Sequence, residues 1–342
     1  MRWIGRAATV LLVLAATTTA LADTPPTGWD RARDPAVGER YRLHLRVQEL
    51  MHPPLETSRK MMPILLERAR GELEVASAAT SPDVRLRFDL GEVYYELKRY
   101  EEALRVLEPA LALSPHEPAS AEAWEALAFA AARLDRSKQE IEGYDECLAL
   151  SLSRSSNLSI LSNRAEAYMR LGNLEEAVAG YREVIEIVAH RHYGRPSDFL
   201  TLILARWGLA VALDRSGDSA EAEHEAQLAA ELDPEERVIG DTEDVFFVPD
   251  YERDWYYALG RAQHAKHAPN PEHALALWHL TVETWTHYIA RAWPNDRWVR
   301  LARAHLASAQ AEERRAAERY GKTKPLPVAP PRSTWLEWSH PR

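Results

Sequence analysis

The chain has 342 residues, which is enough for one long repeat array or for two ordinary domains. Its 42 basic and 52 acidic residues give a formal net charge of −10, which argues against a nucleic-acid binder. One cysteine excludes an intramolecular disulfide and any cysteine-rich metal site, and 14 glycines are too few for a turn-rich β protein.

The first 22 residues have the three-part pattern of a secretory signal. Arg2 and Arg6 form the positive end, an apolar stretch follows, and Ala20-Leu21-Ala22 is typical of a cleavage site. The apolar stretch is shorter than the roughly 20 residues that a membrane span needs. We therefore expect residues 1–22 to be a cleaved signal peptide and the mature protein to lack a membrane span.

Helical patterns begin after a polar segment. Residues 23–55 combine a Pro- and Gly-containing linker with a short helix from Glu39 to Met51. Residues 56–80 carry apolar side chains at helical spacing and are predicted to form an N-terminal packing helix. Pro63 either kinks this helix or marks its true first turn.

Residue 81 begins a pattern that later recurs. Ser81, Pro82 and Asp83 are typical of a helix start. Small and apolar residues then follow at the spacing of two helices: Leu90, Gly91, Tyr94, Ala103, Leu107, Ala110 and Pro115. This arrangement resembles the tetratricopeptide repeat, in which two antiparallel helices occupy about 34 residues. The resemblance implies an all-α fold: an α-solenoid of stacked helix-turn-helix repeats that forms a right-handed superhelix.

Four units of this kind are predicted over residues 81–236. The second unit is degenerate, because Glu140 stands where a small alanine is expected. Equivalent positions are 37, 37 and 45 residues apart, and they are held by Ala103, Glu140, Ala177 and Ala222. We assign the excess over the repeat length to the connecting loops, where insertions are tolerated.

The C-terminal third is less regular. Residues 237–250 break the helical pattern and are predicted to be an irregular insertion, either a loop packed over the groove or an edge that binds a partner. Residues 251–320 suggest a degenerate repeat unit and a C-terminal capping helix. Residues 321–342 contain prolines and tryptophans and should form an extended tail.

The sequence gives little support to catalysis. Thirteen histidines raise the question of a metal site, but pairs such as His264 and His267 have ordinary helix spacing, and no HExxH motif occurs. No nucleophile elbow is present, and Cys147 falls on an apolar helix face, which predicts a buried thiol. We therefore predict no enzyme activity, no metal and no cofactor, with a metal-dependent enzyme as the third hypothesis.

The resemblance also implies a binding groove lined by the first helix of each unit. It assigns nine residues to this concave wall: Phe88, Glu92, Tyr95, Phe129, Glu166, Trp207, Asp214, Tyr257 and Arg261. Aromatic side chains at such a surface suit a peptide or a partner helix. Any one of these aromatic residues could instead pack against the following helix as part of the core. The acids and apolar residues on this wall argue against capture of an acidic carboxyl terminus.

The leading hypothesis is a non-enzymatic protein–protein interaction scaffold in the bacterial cell envelope that binds envelope proteins and no nucleic acid. Its expected compartment is the periplasm. The alternative is an envelope glycan-binding factor. It would use the C-terminal tryptophans, which are Trp255, Trp278, Trp285, Trp293 and Trp298. Tryptophans at helical spacing are more often core residues, so the scaffold is favoured. The identity of the partner and the oligomeric state stay open.

Overall fold

The computed structural model describes residues 25–54, 59–117, 119–150, 157–190, 196–234, 238 and 250–322. Regular structure in these residues is entirely helical, which confirms the predicted all-α helical repeat. The predicted signal peptide lies outside the described residues, as do the C-terminal tail from residue 323 and all of the insertion except residues 238 and 250.

Fourteen α-helices occur among the described residues. They are α1 (Gly28–Arg33), α2 (Val37–Met51), α3 (Met62–Val75), α4 (Val84–Glu96), α5 (Tyr100–Leu113), α6 (Ser120–Arg133), α7 (Ser137–Leu150), α8 (Leu158–Leu171), α9 (Leu174–His190), α10 (Pro196–Ser216), α11 (Ser219–Leu232), α12 (Arg253–Lys266), α13 (Pro271–Arg291) and α14 (Val299–Gly321). Short 3-10 helices occur at Arg59–Met61, Ala78–Thr80 and Asp250–Glu252.

Polar side chains cap several of these helices. The Asp83 carboxylate accepts a hydrogen bond from the Arg85 amide at 3.2 Å and starts α4. The Asn270 side chain accepts one from the His273 amide at 2.9 Å and starts α13. Each bond satisfies an amide that has no partner within the helix. Pro63 lies in the first turn of α3, where its missing N–H has no cost.

A short helix lies in the segment that the sequence presents as a linker. Thr27 and Asp30 form a capping box: the Thr27 amide donates to Asp30 Oδ2 at 2.7 Å, and the Asp30 amide donates to Thr27 Oγ1 at 3.2 Å. These two bonds stabilise α1 at its first turn. The T-x-x-D pattern is the sequence signal for this helix.

One backbone feature recurs at equivalent places and marks the repeats. The turns that join α4 to α5, α6 to α7, α8 to α9 and α10 to α11 each contain a residue in the left-handed region. These residues are Lys98 (φ 60°), Asp135 (φ 56°), Gly172 (φ 82°) and Gly217 (φ 94°). Their separations of 37, 37 and 45 residues equal those predicted from the sequence. The same turn geometry therefore joins the two helices of four successive pairs.

Small residues let the helices of a pair approach closely. A Cβ atom on Gly91 would overlap the Leu107 side chain of the neighbouring helix α5. Ala103, Ala177 and Ala222, at the equivalent place on α5, α9 and α11, are all buried. These positions are close-packed, as the repeat pattern predicts.

The chain divides into two compact units. Unit 1 comprises Met1–Leu134 and Asp145–Leu152, and unit 2 comprises Asp135–Tyr144 and Ser153–Arg342. In unit 1, α4 packs against α2, α3, α5 and α6. In unit 2, α10 packs against α8, α9, α11 and α12, and α13 packs against α12 and α14. Among the described residues, no helix is both long and apolar enough to cross a membrane.

Glu140, which stands where the repeat pattern expects a small alanine, forms an ion pair. Its side chain is buried in unit 2 and pairs with the guanidinium of Arg170 from α8, which is also buried. Burial lowers the pKa of Arg170, because the charged form loses hydration. The second repeat therefore replaces the usual small residue with a buried charge pair.

Candidate functional site

The nine residues assigned to the groove fall into two groups. Four side chains are buried: Phe88, Glu166, Trp207 and Asp214. The other five keep part of their surface exposed: Glu92, Tyr95, Phe129, Tyr257 and Arg261. Only the second group has surface that a partner could contact directly.

Phe88 and Trp207 are core residues, which corrects the expectation that they face a groove. Their side chains are 2% and 0% exposed. Phe88 lies on α4 and Trp207 on α10, and four other helices pack against each of these two. Because both side chains are buried among these helices, they contribute to stability instead of contact area.

Asp214 and Arg261 are held by contacts inside unit 2. Asp214 Oδ2 accepts a hydrogen bond from Trp255 Nε1 at 2.9 Å and lies 2.9 Å from His305 Nε2. Arg261 Nη1 donates to Thr284 Oγ1 at 2.5 Å, and its guanidinium lies 5.0 Å from the centre of the Tyr257 ring. These contacts connect α10 and α12 to α13 and α14, which is a structural role.

The exposed aromatic residues of unit 1 meet across two helices. Tyr95 on α4 and Phe129 on α6 have ring centroids 5.8 Å apart, and both rings are half-buried. Tyr100 at the start of α5 lies 5.9 Å from Tyr95. The pair therefore forms an aromatic surface that spans the first helices of two successive repeats.

Four glutamates surround this aromatic pair. Glu92 and Glu96 share the Tyr95 side of α4, because residues three and four apart lie on one helix face. Glu122 and Glu125 share the Phe129 side of α6 for the same reason. We call these six residues the acidic-aromatic face: Glu92, Tyr95, Glu96, Glu122, Glu125 and Phe129.

Two carboxyl groups of this face are strongly perturbed. Burial raises the pKa of Glu92 well above its usual value, and the charges of Asp89, Glu122, Glu125 and Glu96 raise it further. Burial also raises the pKa of Glu125, with a contribution from Glu122, to about 7. Both groups keep some exposed surface but lie deep between helices, where hydration is poor. Sequence reasoning found Glu92 and missed Glu125, whose signal is the spacing of Glu122, Glu125 and Phe129 on one helix face.

Comparison with known proteins agrees with this architecture. The tetratricopeptide repeat family model matches residues 89–114 and 157–198, which cover most of the α4–α5 and α8–α9 pairs. The chain contains tetratricopeptide repeats. No curated protein matches the sequence.

Two solved structures are similar to this chain at low sequence identity. A tetratricopeptide repeat protein from Parabacteroides merdae is 14% identical with a TM-score of 0.44, and the match covers 78% of this chain and 99% of that one. The TPR domain of P58(IPK) is also 14% identical with a TM-score of 0.34, and the match covers 86% of this chain and 72% of that one.

Most of the tryptophan cluster in this tetratricopeptide repeat protein is core. Trp255, Trp278 and Trp285 are buried, and Trp255 contacts Trp285 edge-on with centroids 5.0 Å apart. Trp293 is 45% exposed. Together with Trp298 it lines a cavity of about 610 Å³ in unit 2. Only these last two tryptophans have a surface that a ligand in this cavity could contact.

Two observations concern metal ligands and nucleophiles in the part of the chain that the structure describes. No group of three or more histidine, cysteine or acidic side chains there is arranged to hold a metal ion. Cys147 is buried, as predicted, and burial raises the pKa of its thiol to about 12. A thiol in this state is a poor nucleophile, because the reactive thiolate is scarce at neutral pH.

Proposed function

We propose that this chain is a non-enzymatic scaffold of the bacterial cell envelope that binds a peptide or a helix of a partner protein. Tetratricopeptide repeats generally mediate protein–protein interactions, and the fold is typically non-catalytic. Location in the envelope is supported by the signal-like sequence of residues 1–22, with the periplasm as the expected compartment.

The choice of binding surface depends on one observation, the exposed aromatic pair of unit 1. Tyr95 and Phe129 lie on the first helices of two successive repeats and keep exposed ring surface next to one another. Aromatic side chains contribute a large share of the free energy of protein–protein association. We therefore place the partner on the acidic-aromatic face of unit 1, in place of a groove that includes Phe88 and Trp207.

Site-specific photo-crosslinking tests this proposal. A photoreactive amino acid in place of Phe129 should give a discrete adduct with one or a few envelope proteins. The matched control is Leu113, which is also in unit 1, apolar and 69% exposed, but lies at the end of α5. The proposal fails if positions 129 and 113 give the same adducts.

Alanine variants give an independent measurement. Tyr95→Ala and Phe129→Ala should each weaken binding of the crosslinked partner by about 2 kcal/mol, because they remove aromatic contact area. Leu113→Ala should leave the affinity unchanged. Circular dichroism of each variant separates loss of contact from loss of fold.

A second candidate function, an envelope glycan-binding factor, depends on Trp293. This side chain is exposed and contacts Tyr251 edge-on with centroids 5.8 Å apart, beside the cavity lined by Asn295 and Arg297. Trp293→Ala should then reduce retention of the protein on insoluble peptidoglycan. Trp29→Ala is the control, since Trp29 is 81% exposed and lies in α1, far from this cavity in the chain.

A further inference from the structure

We propose that the acidic-aromatic face binds a segment that carries lysine or arginine side chains. This inference rests on the proposed function, because it names the chemistry of the partner that occupies the same face. Three features of the described residues support it: the arrangement of the carboxyl groups, the unpartnered Glu125 Oε1, and the aromatic pair beside them.

Glu125 lacks part of the compensation that a buried acid normally has. Glu125 Oε1 is buried and has no hydrogen-bond partner among the described residues. The charged groups that most affect Glu92 are four acids, and all of them oppose its ionisation. A buried carboxylate without a partner is costly, and native proteins usually satisfy such groups. A cationic ligand would supply the missing hydrogen bonds and charge.

Asp89, on the same helix α4, is a buried acid whose carboxylate does have hydrogen-bond partners. Its carboxylate lies 2.8 Å from His44 Nδ1 and accepts a hydrogen bond from Gln48 Nε2 at 3.0 Å. Both partners come from α2, so the Asp89 carboxylate has hydrogen-bond partners inside the core of unit 1. Glu92 lies one turn later on α4, and the charges that raise its pKa include Asp89 on the same helix and Glu122 and Glu125 on α6.

The aromatic pair fits the rest of a long basic side chain. Lysine and arginine carry apolar stems that pack on hydrophobic surface while the charged head reaches a polar group. Their charged heads are also attracted to the faces of tyrosine and phenylalanine rings. Tyr95 and Phe129 lie beside Glu92 and Glu125, so one ligand side chain could contact both kinds of group.

Peptide binding to the full chain tests this inference. The probe is a capped, alanine-based peptide with lysines spaced three and four residues apart, followed by fluorescence anisotropy. Its counterparts carry glutamine or glutamate in place of every lysine. We expect the lysine peptide to bind and the other two to bind at least about tenfold more weakly, since charge complementarity selects the partner. Equal binding of the glutamine peptide would overturn the inference.

Matched variants distinguish binding at the acidic-aromatic face from general attraction to the negative charge of the chain. Glu92→Gln with Glu125→Gln should weaken binding of the lysine peptide by about tenfold or more. Glu49→Gln with Glu117→Gln replaces two exposed carboxyl groups outside the acidic-aromatic face and should change the affinity by less than about twofold. An equal loss in both double variants would mean diffuse attraction and would refute a defined site. If the first double variant does not fold, the exposed Glu96→Gln should still weaken binding by about threefold.

The crosslinking result distinguishes the two proposals. Adducts at position 129 that persist while the lysine peptide fails to bind would refute the cationic ligand and leave the scaffold in place. Absence of both specific adducts and peptide binding would refute both.

Discussion

The carboxyl group of Glu125 makes the stability of unit 1 depend on pH. Its pKa of about 7 in the folded chain exceeds the ordinary value of 4.5, because of burial and the nearby Glu122. Between these two values the folded state holds a proton that the unfolded state has released. The stability of the fold therefore falls as the pH rises from about 4.5 to 7. Glu92 on α4 and Cys147 on α7 face the same region.

Glu125→Gln should reduce this pH dependence. We expect the variant to be more stable than the natural chain by about 1–3 kcal/mol at pH 8 and by little at pH 5, where the carboxyl group is already protonated. Urea unfolding at the two pH values measures the difference. The exposed Glu117→Gln should change neither value, and an equal gain at both pH values would contradict the titration of Glu125.

Two glycines provide a paired test of the close approach between helices. Gly91→Ala should destabilise unit 1 by about 1–3 kcal/mol, because its new methyl group must displace Leu107. Gly71→Ala, on α3, has open space around the new atom and should stabilise the chain by about 0.5–1 kcal/mol. The midpoints of denaturant unfolding measure both changes. If Gly91→Ala does not lose stability, α4 and α5 are not in close contact at Gly91.

Sequence reasoning at this scale finds the face of a helix but not how deep a residue lies. The apolar spacing correctly placed Cys147 in the core. The family resemblance placed Phe88 and Trp207 on a ligand-facing wall, but burial depends on how many helices surround α4 and α10, and the pattern of one helix does not contain that information. Glu125 was missed because its importance arises only when α6 is packed beside Glu92 of α4.

The pairing of α7 with α8 shows how a repeat can depart from its pattern and remain folded. Glu140 fills the place of a small alanine and is neutralised by Arg170, so neither buried charge is isolated. The repeat pattern alone would suggest that alanine is the better residue here. The structure leads to the opposite expectation, because removing one partner leaves the other charge buried.

Glu140→Ala should therefore destabilise unit 2 by about 3–5 kcal/mol. Adding Arg170→Met should restore most of the loss, since an apolar side chain then replaces the unpaired cation. Glu142→Ala, an exposed site on the same helix, is the control and should have little effect. Thermal unfolding followed by circular dichroism measures all four proteins, and a stable Glu140→Ala chain would show that the ion pair contributes nothing.

The positions of the helices could be predicted from the sequence more completely than the contacts between them. Apolar residues at helical spacing predicted a helix over Glu39–Met51, and α2 spans Val37–Met51. The spacing of 37, 37 and 45 residues recurs in the left-handed turn residues. The helix α1 was not predicted, because Pro and Gly near residue 25 obscured the capping pattern of Thr27 and Asp30.

At the scale of the whole molecule, the division into two units lies within a helix. Residues 135–144 and 145–152 belong to different units, and both ranges contribute to α7. The sequence predicts boundaries from changes in composition, and composition does not change within α7. The boundary between the two units depends on three-dimensional packing, so it could not be predicted from the sequence pattern.

The prediction at the scale of the whole molecule is that the chain is exported and its signal peptide is cleaved. Cleavage after Ala22 should give a mature protein that begins at Asp23, because Ala20-Leu21-Ala22 has the small residues that signal peptidase requires. Mass spectrometry of the protein from a periplasmic fraction tests this directly. Ala22→Trp should accumulate as the uncleaved form, and natural protein recovered with Met1 in place would contradict the prediction.

The buried thiol of Cys147 can be used to measure local unfolding of the chain around it. It is the only cysteine in the chain, and its pKa of about 12 leaves almost no thiolate at neutral pH. A thiol reagent should modify it only when the C-terminal part of α7 separates from unit 1. The labelling rate then measures how often this region opens, without any engineered probe. Occupation of the acidic-aromatic face by a ligand should slow that rate, since Glu122 and Glu125 lie close to the same thiol.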